Sequence, residues 1–271
     1  MRKEKGVALT FPKKFAAAGA VLAAAALVLL LQPGAAQDAR APFSNGEKLR
    51  YAVRWRLVPA GEAELNLGRD EAPRGRWKAV AKANSIGYVS NIYKVDDEYQ
   101  STFRAQMLCS NELRKTINEG ERHRLVTLLF DQRRKLAIYN DREASGSAPP
   151  RQAQSAIPDC VYDILSSLYY VRTHPLTVGQ NFEFPLNDGS RTIRLRVDVL
   201  GKEEIKTQVG TFQAIRVEPD LFSGNLFKGK GRLFVWFSDD ASHLPLQMTA
   251  QIGIGTITAT LSSIERGDGA P

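Results

Sequence analysis

The chain has 271 residues, a formal net charge of +8 and 43% hydrophobic residues, so it is long enough to bury a substantial core. Five basic residues and one acidic residue fall within the first 36, which is +4 of that +8. The remaining excess is diffuse, which argues against nucleic acid, a ligand that needs a concentrated basic face. An ordinary solvated surface, with at most a weak pull toward anionic lipid headgroups, accounts for it.

The N-terminus reads as an export leader. Arg2, Lys3, Lys5, Lys13 and Lys14 precede an uncharged apolar run over 15–31, and Gly34, Ala35 and Ala36 supply the small residues of a cleavage site. Cleavage after Ala36 would place the protein in the periplasm. An uncleaved leader would instead anchor it in the inner membrane, although the run is at the short end for a span. No cysteine follows the run, which excludes lipid attachment there. Residues 37–44 then read as a flexible lead-in, 45–265 as a single β-rich domain and 266–271 as a tail.

From Lys48 the pattern alternates strictly. Leu49, Tyr51, Val53 and Trp55 interleave with arginines, which predicts a half-buried antiparallel strand. Residues 59–61 predict a turn into a second strand through Ala63, Leu65 and Leu67. Trp77, Ala79 and Ala81 continue the alternation, and 85–93 reads as a short helical or irregular piece. Further strands are expected over 98–105, 107–118, 122–130 and 135–139, with a tight turn at 131–134. The small, polar and proline-rich stretch 143–155 predicts a mobile surface loop.

The one convincing amphipathic helix is 159–172, DCVYDILSSLYYVR. Val161, Ile164, Leu165, Leu168 and Val171 share a face, Asp159 suits the N-cap, and Pro158 and Pro175 bracket the segment. At least five strands follow, with a hairpin signal at 187–189, a basic glycine-containing loop at 223–230, and a bulge or bend at Gly253 and Gly255. A dozen or so strands and one helix predict a mainly β fold, a large curved antiparallel sheet, half-barrel or barrel-like, packed around the helix.

The only two cysteines are Cys109 and Cys160. In an exported chain such a pair reads as one disulfide, the alternative being two buried thiols.

Four blocks carry a family resemblance. GEKLRYAVRW with 60–63, YDILSSLYYVR with Asp163, Ser166, Tyr169 and Arg172, then Gly179 with 210–212, and VWFSDDASHLPL with Trp236, Asp240 and Pro245 occur in order. Together they resemble domain-of-unknown-function family 3108, a group of exported bacterial proteins. Ser167 and His243 depart from the pattern, which has alanine and a basic residue there. The resemblance implies a curved sheet partly wrapped around a helix, similar in outline to periplasmic lipoprotein carriers. It brings no catalytic residues, and moving from outline to function is analogy only.

The residues themselves show no catalytic motif. His123, His174 and His243 have no metal-ligand spacing, and neither a serine-nucleophile elbow nor a phosphate loop occurs. Neighbouring carboxylates, Asp96 with Asp97 and Asp239 with Asp240, point to opposite strand faces; only a long-range pair such as Asp163 with Asp240 could make a dyad. No cofactor or metal is expected, and enzymatic activity is not the leading reading. The aromatic residues point instead to an apolar ligand between sheet and helix, with Tyr51, Trp55, Tyr162, Leu165, Tyr169, Tyr170, Arg172 and Trp236 as candidate lining residues. An envelope assembly factor acting through a protein partner is the alternative, and a hydrolase the third.

Overall fold

The computed structural model describes residues 41–70, 75–146, 148–187, 189, 191–222 and 231–268. The leader, the first half of the lead-in, the loop at 223–230 and Asp188 of the hairpin signal lie outside the described residues.

Fourteen strands form one antiparallel sheet. They are β1 (Glu47–Trp55), β2 (Val58–Arg69), β3 (Arg76–Ser85), β4 (Asp96–Arg104), β5 (Ser110–Glu119), β6 (Arg122–Asp131) and β7 (Leu136–Glu143), then β8 (Arg151–Ala156), β9 (Asn181–Asn187), β10 (Thr192–Thr207), β11 (Gly210–Pro219), β12 (Arg232–Ser238), β13 (Pro245–Ile252) and β14 (Gly255–Glu265). Helix α1 (Gly87–Ile92) joins β3 to β4, and helix α2 (Ile164–Arg172) joins β8 to β9. The spatial order is a meander from β8 back to β1, then β14 back to β9, with β1 and β14 paired at the centre. Register shifts at Val53/Arg54, Thr102/Phe103, Val199/Gly201 and Trp236/Phe237 add twist and help curve the sheet.

The sheet does not close. Its edge strand β8 touches the other end of the sheet at one corner, where Asn187 Nδ2 of the edge strand β9 donates to Ser155 Oγ (2.9 Å) and Thr192 Oγ1 of β10 donates to the Ala156 carbonyl (2.9 Å). The architecture is therefore the open, half-barrel form of the expected fold.

Three local expectations are corrected. The first hairpin turns at Arg56 and Leu57, with Arg56 at φ +54°, while 59–61 lies within β2. Gly61 is held there by close approach, since a Cβ would sit 2.4 Å from the Asn84 carbonyl oxygen. The expected mobile loop at 143–155 contributes β8, which is paired with β7 but mostly exposed, so its polar composition reflects an edge strand. Helix α2 starts at Ile164, not at 159. Residues 160–162 are otherwise engaged: Cys160 is bonded to Cys109, the Val161 carbonyl accepts from the Ser110 amide, and Tyr162 bridges Leu186. Asp163, rather than Asp159, is the N-cap.

The disulfide is formed as expected. It ties the chain just before β5 to the approach of α2.

The concave face of the sheet follows from the register. Glu47, Leu67, Ala79 and Ser101 lie side by side across β1 to β4, the next row is Leu49, Leu65, Ala81 and Tyr99, and the next Tyr51, Ala63, Ala83 and Asp97. Helix α2 crosses the first of these rows. Ala79 and Ser101, both fully buried, are small enough to let it approach. It thereby plugs one end of the half-barrel.

Candidate functional site

The two ends of α2 are fastened by buried polar groups. At its start Asp163 Oδ1 accepts from the amides of Leu165 (2.8 Å) and Ser166 (3.1 Å), while Oδ2 accepts from the hydroxyls of Ser101 and Ser110 (2.6 Å each). Ser166 Oγ accepts in turn from the Asp163 amide (3.0 Å), completing a capping box. Burial pushes the Asp163 carboxyl above its ordinary value, against the opposing pull of these four donors.

At the other end Arg172 is buried. Its Nη1 and Nη2 donate to Glu47 Oε1 (2.6 Å) and Oε2 (2.9 Å), Nη2 also reaches the Pro42 carbonyl (2.9 Å), and Nε reaches the Ser242 carbonyl (3.2 Å). The guanidinium also lies 5.3 Å from the Phe43 ring centroid and 5.6 Å from that of Tyr169. A bidentate pair with further carbonyl acceptors is the arrangement that makes a buried arginine tolerable.

The N-cap Asp163 and the helix residues Ser166, Tyr169 and Arg172, which carry the resemblance, thus point into the core. Tyr169 is fully buried, edge-on to Phe43 at 5.0 Å and stacked with Phe103 at 5.7 Å. Its hydroxyl has no hydrogen-bond partner among the described residues.

Beyond the helix the concave face is left uncovered. A cleft of about 330 Å³ is lined there by Tyr51, Ala63, Leu65, Ala81, Ala83 and Tyr99 of the sheet, by Met248 of β13, and by Leu165 and Leu168 of α2. Its origin is a gradient of side-chain size. Along β3 the inward residues run Trp77, Ala79, Ala81, Ala83, so bulk fills the plugged end and small residues leave space toward the other. Val53, Trp55, Ala250, Ile252, Ile257 and Ala259 continue this half-buried apolar surface to the open rim.

Three charged residues also line the cleft, Glu64, Lys82 and Asp97; Glu64 pairs with Arg50 (2.9 Å) and Lys82 with Glu98 (3.2 Å). Tyr51 donates its hydroxyl to the Pro245 carbonyl (2.9 Å), and burial raises its pKa well beyond the ordinary phenol value. Asp97 accepts from the Asn118 amide (2.8 Å), and burial raises its carboxyl too. The Lys115 ammonium lies 5.3 Å from the centroid of the Tyr99 ring.

The structure therefore divides the candidate lining residues. Tyr51 and Leu165 line the cleft, and Trp55 lies on the same face nearer the rim, its Nε1 donating to the Ile254 carbonyl (3.0 Å). Tyr169 and Arg172 are consumed by the core. Tyr162 and Tyr170 stack on each other at 4.2 Å, and Tyr162 meets Phe184 edge-on, so they occupy the β9 side of the helix. Trp236 pairs with Gln247, neighbour of the cleft residue Met248, so it faces the convex side, where its Nε1 donates to Glu203 (2.9 Å). Sequence reading missed Ala63, Ala81, Ala83 and Met248. Only their inward phase marked them, because an alanine in a strand reads as filler unless its neighbours across the sheet are known.

The suspected carboxylate pairs do not assemble. Asp163 caps the start of α2, whereas Asp240 binds Ser238 and Ser242, whose carbonyl meets Arg172 at the opposite end. Asp239 is paired with Lys202. Among the described residues no three His, Cys, Asp or Glu side chains gather as a metal site, and no helix is long and apolar enough to cross a membrane.

Two solved structures were found by comparison of folds, and the first of them shares the outline. The β-barrel-like protein of domain of unknown function DUF1849 from Brucella abortus is 7% identical, covers 83% of this chain and 99% of its own, and superposes with a TM-score of 0.56, a likeness of fold alone. A protein with a YmcC-like fold from Bacteroides fragilis, also 7% identical, covers 83% of this chain and 98% of its own at a TM-score of 0.35. No curated protein sequence matches the chain. The model of a family of proteins of unknown function matches residues 50–262, nearly all of the described β domain, and the chain belongs to that family, DUF3108.

Proposed function

We propose that this chain is an exported, non-enzymatic carrier that holds an apolar, lipid-like ligand in the cleft between α2 and the concave face of the sheet. The observation that carries this reading is the cleft's mainly apolar lining, aliphatic and aromatic on the sheet wall and aliphatic on the helix wall. Ala63, Ala81 and Ala83 leave the space, and Glu64, Lys82 and Asp97 are the cleft's charged members. Its volume lies at the lower end of small-ligand pockets, about 300–1,000 Å³. Each ligand methylene buried there would contribute about 0.8 kcal/mol. An export leader and a disulfide agree with a periplasmic location.

The test is organic extraction of the purified protein followed by mass spectrometry, together with titration of a fluorescent fatty acid. Ala81→Trp fills the cleft, and is expected to abolish binding of the probe while leaving the far-ultraviolet circular dichroism unchanged. Unaltered binding by that variant, or no binding by the wild type, would overturn the proposal.

A further inference from the structure

Three consecutive connections share the open rim of the half-barrel, at the end of the sheet opposite the helix plug. They are the turn between β1 and β2, the turn between β13 and β14, and the α1 segment between β3 and β4. The first two pack together, with the Arg56 amide donating to the Thr256 carbonyl (2.7 Å) and Trp55 reaching Ile254. The third is fastened to β2 by the Ile86 amide on the Ala60 carbonyl (3.0 Å).

Among the described residues, seven of the twelve exposed large hydrophobic residues lie in or directly beside these connections. Leu57 is 81% exposed, Tyr88 73%, Ile92 63% and Ile254 62%, and Val58, Tyr93 and Ile86 are less so. None of the residues of α1 is buried, so this helix does not serve the core. A concentration of exposed apolar tips at one end of a soluble fold marks a contact surface.

The charges on the same stretches are of one sign. Residues 53–61, 85–95 and 250–257 contain Arg54, Arg56 and Lys94 and no carboxylate, in a chain of 24% charged residues. Glu62, Asp96 and the β5–β6 turn with Glu119 and Glu121, whose Gly120 amide donates to the Lys94 carbonyl (2.8 Å), border them. Apolar tips with tyrosines and flanking basic side chains match the chemistry of a bilayer interface, where tyrosine sits at headgroup depth and arginine or lysine reaches phosphate. The concave apolar face runs out to the same rim through Trp55, Ile252 and Ile257.

We propose that this rim docks on a bilayer bearing anionic lipid, so that the cleft opens directly onto the membrane. Transfer of an acyl chain would then avoid full exposure to water. This rests on the reading of the cleft as an apolar-ligand site, but the surface and the cleft can be tested separately.

Both native cysteines are in the disulfide, so a cysteine introduced at Ile254 can be labelled alone. The full-length chain carrying I254C with an environment-sensitive fluorophore is mixed with vesicles of phosphatidylglycerol and phosphatidylethanolamine. The control is V209C, exposed in the turn between β10 and β11, which meets β14 at Leu261 and not at the rim; the leader is common to both. The expected result is a blue shift at position 254, none at 209, and a much weaker response with phosphatidylcholine alone. Arg54→Gln with Arg56→Gln should weaken the response about thirtyfold, at the usual contribution of a basic residue near an anionic surface.

A silent label at 254, or an equal response at 209, would overturn the proposal. So would a shift that follows protein concentration without vesicles, which would assign the rim to a second copy, or one that needs an added protein. Fatty-acid titration without vesicles reads the cleft alone. Loss of the rim response with retained fatty-acid binding refutes docking only, and the reverse refutes the cleft only.

Discussion

At the scale of single residues, the family signature on α2 is a set of structural fasteners. Arg172 exchanges water for four hydrogen bonds, each to an oxygen of Glu47, Pro42 or Ser242. Arg172→Met strands the Glu47 carboxylate, and is expected to cost about 3–5 kcal/mol, whereas Arg172→Met with Glu47→Leu should recover much of that loss. Urea titrations of the three proteins provide the check; equal stability of both variants would contradict it.

Asp163 makes a prediction with a pH dependence. Its folded pKa is raised above that of the unfolded chain, so the folded state holds the proton more tightly. The group's contribution is therefore largest below the ordinary carboxylate range and falls as pH rises through the raised value. Asp163→Asn keeps a capping side chain but removes the titration. The stability difference between wild type and Asp163→Asn should shift against the wild type as pH is raised from about 4 toward neutrality. Parallel denaturation curves at several pH values read this directly, and a difference constant with pH would exclude it.

At the scale of elements, the disulfide and the strand gradient have separable roles. Cys109 and Cys160 are 51 residues apart, and closing a loop of that length stabilises by about 4 kcal/mol in the chain-entropy model. Replacing both by alanine should lower stability by that order and loosen the start of α2, visible as faster amide exchange at Leu165 and Ser166. Exchange unchanged there would mean that the capping box alone positions the helix. Ala81→Trp acts on the other side of α2, on the cleft and not on the fasteners, so ligand binding and stability should respond to different substitutions.

The elements also show where local sequence is a sufficient guide. Alternation in 49–55 and 193–199 marks β1 and β10 because one face meets the core throughout. Strand β8 escapes the same reading because an edge strand has no buried face to impose a period. The helix start escapes it because Val161 matches the helical stripe yet is spent in a loop held by the disulfide, the Ser110 amide and the Leu186 bridge.

At the scale of the whole molecule, the curvature of an open sheet and the placing of one helix create both the cleft and the rim. The helix covers the rows of the concave face nearest the disulfide and leaves the rest, so one protein surface is a packed core at one end and a half-exposed apolar trough at the other. Local pattern alone determined the mainly β class and pointed to a curved sheet with a buried helix, through periodicity; for the two cysteines it favoured a disulfide over two buried thiols, and the structure decided for the disulfide. The tertiary structure decided which aromatic residues fill space and which border it. Tyr51, Tyr169 and Trp236 look equivalent in sequence, yet the register sends them to the cleft, the core and the convex face. That choice depends on which strand lies beside which and where α2 crosses them, and neither is encoded in the few residues around each tyrosine or tryptophan.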